Sequence, residues 1–319
     1  MQFGVMIEGQ EGLNWERWRH FAALVEGLGY ESLWRSDHFF SLMGRPQRDS
    51  LETWIALTDL ATHTTRLRFG PLVCSMTFRH PALLARMAAG VDALSGGRLV
   101  LGLGAGWNVP EHEAFGIPFP PLGKRMDDLD AGVRAITALF SGEPVTLDQP
   151  RFPLKDAIMR PMAAQRPRPP ILIGGGGERR TLRLVARYAD EWNAVNLQPE
   201  AYLAKRAVLE QHCAAEGRDP ATIRRLMMCA FVIGRDQAEV ERRGAALQEA
   251  VPPLAAVAPG DLLATLRSRG WLVGTVAEVR EQLQALAAAG VERVMLQHHN
   301  QSDDAVLELI AQEIAPALA

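Results

Sequence analysis

Two periods of hydrophobicity alternate along this chain. Short, nearly unbroken apolar runs (FGVMI at 3–7, LVLGL at 99–103, ILI at 171–173) are separated by longer segments whose apolar residues recur three and four positions apart. The first kind reads as strands covered on both faces, the second as helices with one buried stripe. In order, the pattern predicts strand 3–7, helix 15–28 ended by Gly29, strand 32–34, helix 51–63, strand 68–73, helix 82–94 stopped by Gly96 and Gly97, strand 99–103 and helix 124–140. After an irregular, proline-rich stretch at 142–170 it resumes with strand 171–173, helix 178–188, strand 191–194, helix 201–216, strand 226–233 and helix 237–250. Segment 251–274 shows only a short apolar helix. Thr275 and Glu278 then form a capping box for the next helix, followed by strand 291–297 and a closing helix 303–315. Asp49 or Ser50 is the expected cap of helix 51–63, with Leu51, Trp54, Ile55, Thr58 and Ala61 on its buried face.

Strands separated by helices imply right-handed parallel crossovers. About eight such units predict an α/β fold, a (β/α)8 TIM barrel, with a doubly wound open sheet as the alternative. Residues 1–319 read as a single barrel domain with two insertions, around 142–170 and 251–274.

Composition and charge remove several function classes. The formal net charge is -3, and nucleic-acid binding usually starts from a basic excess. No apolar run approaches the ~18 residues of a membrane span, and MQFGVMIEGQ lacks the parts of a signal peptide. Cys74, Cys213 and Cys229 are odd in number and lack metal-ligand spacing. A reducing, cytoplasmic setting without structural disulfides is expected.

Barrel active sites lie where strands end, so the residues after each strand carry the candidate chemistry. They are Ser36-Asp37-His38, Cys74 to Arg79, Gly104-Ala105-Gly106-Trp107, the four glycines Gly174, Gly175, Gly176 and Gly177, and His298-His299-Asn300. Bare backbone N–H groups leading into a helix suit a phosphate. The glycine run lacks the lysine and hydroxyl that complete a nucleotide loop, and its other reading is a tight turn. Gly102 to Gly106 lacks the third glycine of a dinucleotide fingerprint. It reads as a strand end stripped of side chains for a flat ring, or as close packing. His38 beside Asp37 is a candidate for proton transfer. Arg79 reads either as a clamp for an anion or as the partner of an acid within the barrel, with the structural role preferred. His298 and His299 are adjacent, so at most one faces the rim.

Five segments carry a family resemblance: GYESLWRSDHF (29–39), TFRHPALLARMAAGVDALSGGRLVLGLGAGW (77–107), FGIPFPPLGKRMDDL (115–129), PPILIGGGGERRTLRLVARYADEWN (169–193) and GTVAEVREQLQALAAAGVERVML (274–296). The chain resembles the bacterial luciferase-like monooxygenase superfamily, in the branch of coenzyme F-420-dependent oxidoreductases. The resemblance implies a (β/α)8 barrel that binds a flavin-type ring at its C-terminal mouth. It implies a cis peptide near Leu72–Val73, a ring-edge contact at Ser75, a ring against Gly104, Gly106 and Trp107, and a phosphate at Gly174–Gly177. His38, with Asp37, would polarise the ring or move a proton. Glu8 is a second candidate acid or base. The glutamate that sugar-phosphate dehydrogenases carry after the glycines is replaced here by Trp107, which argues against glucose-6-phosphate. Glu111, His112 and Glu113 lie nearby without an assigned role.

The resulting expectation is hydride transfer between coenzyme F-420 and a small organic substrate. The alternative is an FMN-dependent monooxygenase using reduced flavin and oxygen, served by a flavin or F-420 reductase. A homodimer is expected. A metal-dependent hydrolase using His38, His63, His80 and His298 and a barrel that merely binds flavin are the more distant readings.

Overall fold

The computed structural model describes residues 1–318. Its strands are β1 (Gln2–Ile7), β2 (Ser32–Arg35), β3 (Arg68–Pro71), β4 (Cys74–Ser75), β5 (Leu101–Gly104), β6 (Val145–Leu147), β7 (Leu154–Ala157), β8 (Ile171–Gly174), β9 (Glu191–Val195), β10 (Arg224–Gly234), β11 (Leu272–Thr275) and β12 (Arg293–His298). Ten of them form one sheet in the order β3-β2-β1-β12-β10-β9-β8-β5-β4, with β11 paired to β10. Every pair in it is parallel. The sheet closes between β3 and the residues leading into β5. Phe69 donates its N–H to the Arg98 carbonyl (3.2 Å) and accepts from the Val100 N–H (2.8 Å). The fold is therefore the expected TIM barrel, and the open-sheet alternative falls.

Side chains along the strands alternate between two layers, as the two-residue period of a strand requires. On β1, Val5 and Ile7 join the layer beneath the helices. Met6 joins the barrel interior with Trp34, Leu72, Val100, Leu172, Leu226 and Met295. The lower end is plugged by the buried Arg293 guanidinium, which donates to Glu191 (2.8 Å) and Glu31 (2.6 Å). The interior is thus filled below and open above.

The helices are α1 (Trp15–Gly27), α2 (Thr53–His63), α3 (Pro81–Leu94), α4 (Val109–Ala114), α5 (Leu122–Leu139), α6 (Thr181–Tyr188), α7 (Pro199–Ala215), α8 (Gln237–Ala250), α9 (Leu262–Ser268), α10 (Val276–Ala288) and α11 (Asp304–Leu309). Most follow the predicted pattern, and the capping box of Thr275 and Glu278 is present. Helix α2 departs from it. Asp49 and Ser50 are tied elsewhere, through Gly12 N–H to the Asp49 carbonyl (3.0 Å) and Ser50 Oγ to the His38 carbonyl (3.0 Å). Glu52 caps the helix instead, accepting from Ile55 N–H at 2.8 Å. Ile55 is consequently 58% exposed, while Ala56, Leu57 and Leu60 are buried.

The irregular stretches hold more structure than the periodicity suggested. Residues 142–170 contain the antiparallel hairpin β6–β7, and 251–274 contains α9 and β11. Strand β11 extends the sheet along the outer half of β10, from Phe231 to Gly234. Helix α6 begins at Thr181, four residues beyond the glycines, and a short helix α4 follows β5. The predicted closing helix ends as α11 and passes into a π turn at Ile310–Ile314.

Candidate active site

A cavity of about 650 Å³ opens at the C-terminal mouth of the barrel. Of the residues singled out from sequence, Glu8, Asp37, His38, Leu72, Val73, Ser75, Gly104, Gly106, Trp107, Gly174 and Gly175 line it; Gly176 and Gly177 follow in the chain and are not part of its lining. Sequence order scattered these residues over five segments, and the parallel barrel brings them to one rim.

A cis peptide joins Leu72 to Val73, where the resemblance located it. Val73 lies between β5 and β8: a Cβ added at Gly104 would come within 2.7 Å of its Cγ2, and one at Gly174 within 3.1 Å of its Cγ1. These two glycines are explained by packing against Val73. Gly106 differs, because its φ is +79° and an added Cβ would strike Ser75 Oγ at 2.3 Å.

His38 faces the cavity with a partner the sequence did not identify. Its Nδ1 lies 2.7 Å from Glu111 Oε2. Glu111 sits on α4, is 0% exposed, and also accepts the Phe39 N–H at 2.6 Å. Asn108 caps α4 through the Glu111 N–H (3.1 Å), so cap, helix and carboxylate form one unit. Burial disfavours the charged imidazole, but the hydrogen bond and charge of Glu111, with Glu8 and Asp37 beyond, raise the His38 pKa above its ordinary value. With Nδ1 engaged, Nε2 is the atom left for a ligand. Trp107, 66% exposed, stands edge-on to the His38 ring at 5.7 Å.

Asp37 is not the partner of His38. Arg79 grips it with both guanidinium nitrogens, Nη1 at 2.5 Å and Nη2 at 3.0 Å, and Nη2 also reaches Glu52 at 2.7 Å. The pair ties the loop after β2 to the loop after β4. Arg79→Gln leaves the Asp37 carboxylate buried without its cation. Urea unfolding is expected to show a loss of about 3 kcal/mol, and an unchanged midpoint would refute the tie.

Glu8 is held as a carboxylate. Burial opposes its charge, yet His299 and His38 together with hydrogen bonds from Gln10 and Gln297 keep its pKa below the usual range. Gln10 Nε2 donates at 2.7 Å and Gln297 Nε2 at 2.5 Å. Burial pushes the His299 pKa down against the pull of Glu8, and the two amides add support that does not depend on the charge of His299. An ionised, doubly hydrogen-bonded Glu8 sets the local potential and is a poor acid.

The glycine run is braced by the Trp192 Nε1–H on the Gly175 carbonyl (2.8 Å) and by the Gly175 N–H on the Asn193 carbonyl (2.9 Å). A Cβ at Gly176 would meet only the Lys205 chain, at 3.6 Å. Thr181, at the start of α6, lines the cavity beside the run; it is a hydroxyl four residues on that the sequence reading passed over. Asn193, also in the wall, has a buried side-chain oxygen without a hydrogen-bond partner. A bare backbone cradle, a hydroxyl and an orphaned acceptor together fit a ligand with a phosphate and a polar ring or chain.

The histidines of the hydrolase reading are dispersed. His80 caps α3, His63 ends α2, and burial between Phe21 and Phe231 pushes the His298 pKa down to about 4. Among the described residues no group of three or more His, Cys, Asp or Glu is placed to hold a metal ion. His299, not His298, lines the cavity. Among the described residues no helix is long and apolar enough to cross a membrane.

Fold and rim together define a parallel (β/α)8 barrel with a ligand cavity at its C-terminal mouth. The model of the luciferase-like monooxygenase family matches residues 1–293, and the chain belongs to that family. It is similar to the phthiodiolone/phenolphthiodiolone dimycocerosates ketoreductase of Mycobacterium tuberculosis, 29% identical over 262 residues, covering 76% of this chain and 67% of the relative. It is also similar to the F420-dependent hydroxymycolic acid dehydrogenase of that organism, 29% identical over 242 residues, covering 74% and 64%. Among solved structures, the monooxygenase RslO1 from Streptomyces bottropensis superposes with a TM-score of 0.83 at 24% identity over 100% of both chains.

Proposed function

We propose that this protein is an oxidoreductase that transfers a hydride between coenzyme F-420 and a small, uncharged ketone or secondary alcohol. The observation that carries this reading is the His38–Glu111 pair at 2.7 Å, facing the cavity with Nε2 free. A bound deazaflavin supplies the hydride chemistry. The protein's part is to hold the phosphate at Gly175–Gly177 and Thr181, to flank the ring with Val73 and Trp107, and to manage one proton. Hydride transfer to a carbonyl carbon leaves charge on its oxygen, and an imidazolium with raised pKa gives that oxygen a proton; in reverse, neutral His38 takes it from the alcohol. Glu8 and Glu111 keep the imidazolium form accessible.

The walls support an uncharged substrate. Glu8, Asp37 and Glu111 line the cavity, and among the described residues no lysine or arginine does. Asp37 is neutralised by Arg79, but a phosphorylated substrate would still meet Glu8 and Glu111 with no lysine or arginine in the wall. The likeness to a ketoreductase and an F420-dependent dehydrogenase supports the same class. The family also holds monooxygenases, so FMN is the competing ring.

Titration of the protein with F-420 and with FMN, followed by ring fluorescence, separates the two. Tight binding of F-420 alone upholds the proposal; tight binding of FMN alone moves the assignment to an oxygen-using monooxygenase with a reductase partner. Gly176→Ala tests the cradle. The added methyl has room at 3.6 Å from Lys205, so stability is expected to hold while affinity for the phosphorylated ring falls roughly tenfold. Lumiflavin, which has the ring without the phosphate, should bind both proteins alike. A homodimer and a cytoplasmic setting belong to the same proposal. Exposed Ile55 and Leu83 on adjoining helices support the first, and three buried free cysteines support the second.

A further inference from the structure

A chain of four polar groups leads from Ser75 in the cavity wall through Thr77 and His112 to the Asn108 carbonyl, and its hydrogen-bond directions follow from that carbonyl. His112 Nδ1 lies 2.6 Å from the Asn108 carbonyl oxygen. A carbonyl only accepts, so Nδ1 carries a proton. His112 Nε2 lies 2.7 Å from Thr77 Oγ1. In a neutral imidazole protonated at Nδ1, Nε2 accepts, and Thr77 must donate. Thr77 Oγ1 in turn lies 2.5 Å from Ser75 Oγ. With the Thr77 proton already committed, that contact requires Ser75 to donate to Thr77. The Ser75 proton therefore points away from the cavity that Ser75 lines, and its remaining lone pairs face the ligand.

We infer that His112 and Thr77 are positioning residues that make Ser75 an obligate hydrogen-bond acceptor, so that the ligand edge against Ser75 presents an N–H or O–H donor. This rests on the reading that a flavin-type ring occupies the cavity. Two features fit a built relay. His112 is 1% exposed and sits between Phe78 and Phe119, with ring centroids at 4.9 and 4.5 Å, which fixes its plane. Gly106 has no side chain where a Cβ would strike both hydroxyls, Ser75 Oγ at 2.3 Å and Thr77 Oγ1 at 3.0 Å. A hydroxyl can ordinarily donate or accept; here a histidine tautomer two groups away removes one option. Reversal of the relay needs a proton on Nε2, which would turn Thr77 toward Ser75 and free the Ser75 proton for the cavity.

Two measurements test it. Long-range ¹⁵N–¹H spectra of ¹⁵N-histidine-labelled protein without ligand, assigned with His112→Phe, should show His112 neutral and protonated at Nδ1. A doubly protonated ring or the Nε2–H tautomer overturns the inference. Fluorescence titrations with F-420 and FMN then read the effect on the ligand. Thr77→Val keeps the shape and cuts the relay, and Ser75→Ala removes the acceptor; each should weaken binding roughly two- to tenfold. The double variant should bind no more weakly than Ser75→Ala alone, and Thr77→Ser should restore wild-type affinity. Wild-type affinity in Thr77→Val, or additive losses in the double variant, also overturns it. Wild-type protein that binds neither ring overturns the functional reading and the ring contact with it. That outcome is told apart from failure of the relay, because the spectrum is recorded without ligand.

Discussion

His38→Gln is expected to lower kcat by roughly 10²- to 10⁴-fold, the usual contribution of a positioned acid or base, while leaving folding stability within about 1 kcal/mol of wild type. The glutamine amide can still donate to Glu111, so the buried carboxylate keeps a partner; what disappears is a group that exchanges a proton near neutral pH. His38→Ala is the harsher change. It leaves Glu111 Oε2 without its donor, although the Phe39 N–H on Oε1 remains, and costs about 1–3 kcal/mol. The two variants together separate chemistry from structure. Turnover at the wild-type rate in His38→Gln, with cofactor shown to be bound, would remove His38 from the mechanism.

Glu111→Gln should produce the second large effect, a change in pH dependence. The folded-state pKa of His38 is raised, with burial opposing and Glu111 the first favourable cause. A group whose folded pKa exceeds its unfolded value, here about 6.5, stabilises the fold fully below that unfolded value. The contribution is lost as pH rises through the folded pKa. The wild-type advantage over Glu111→Gln in unfolding free energy should therefore be larger at pH 6 than at pH 9. The His38 ionisation in the pH–rate profile should move to lower pH in the variant, with kcat/KM for ketone reduction at pH 8 down roughly 10- to 100-fold as the imidazolium becomes scarce. A profile that does not move would show that another group titrates.

Much of this site was legible before any coordinates. Strand ends mark the rim of a barrel, so His38, Ser75, the Gly104–Trp107 turn and the glycine run could be placed together from alternation alone. What stayed hidden depended on side-chain direction. Glu111 lies 73 residues from His38 in sequence, and it turns inward because Asn108 starts α4 one turn earlier; neither fact has a period to betray it. Asp37 looked like the natural partner because it is adjacent, but neighbours along an extended chain point apart, and Asp37 turns to Arg79. The glycines were ambiguous for a similar reason. Gly104 and Gly174 yield space to Val73, whereas a side chain at Gly176 would only touch the Lys205 chain at ordinary contact distance, and only the three-dimensional neighbours distinguish the two. The β6–β7 hairpin escaped because its strands are short and partly exposed, and β11 because its buried run is only Leu272 and Val273 before Gly274, too short to set a period.

The closure of the barrel at Phe69 has a consequence for how the site holds together. Elsewhere the staves are laced by several consecutive pairs; between β3 and β5 the lacing shrinks to the two bonds of one residue, resumed beyond Val73 by the short β4–β5 pair. The floor of the cavity (Leu72, Val73, Ser75 and Gly104) is this suture itself. The cavity wall is thus shared by both sides of the seam. A substitution along this seam should therefore disturb the closure of the hoop and the cavity wall together.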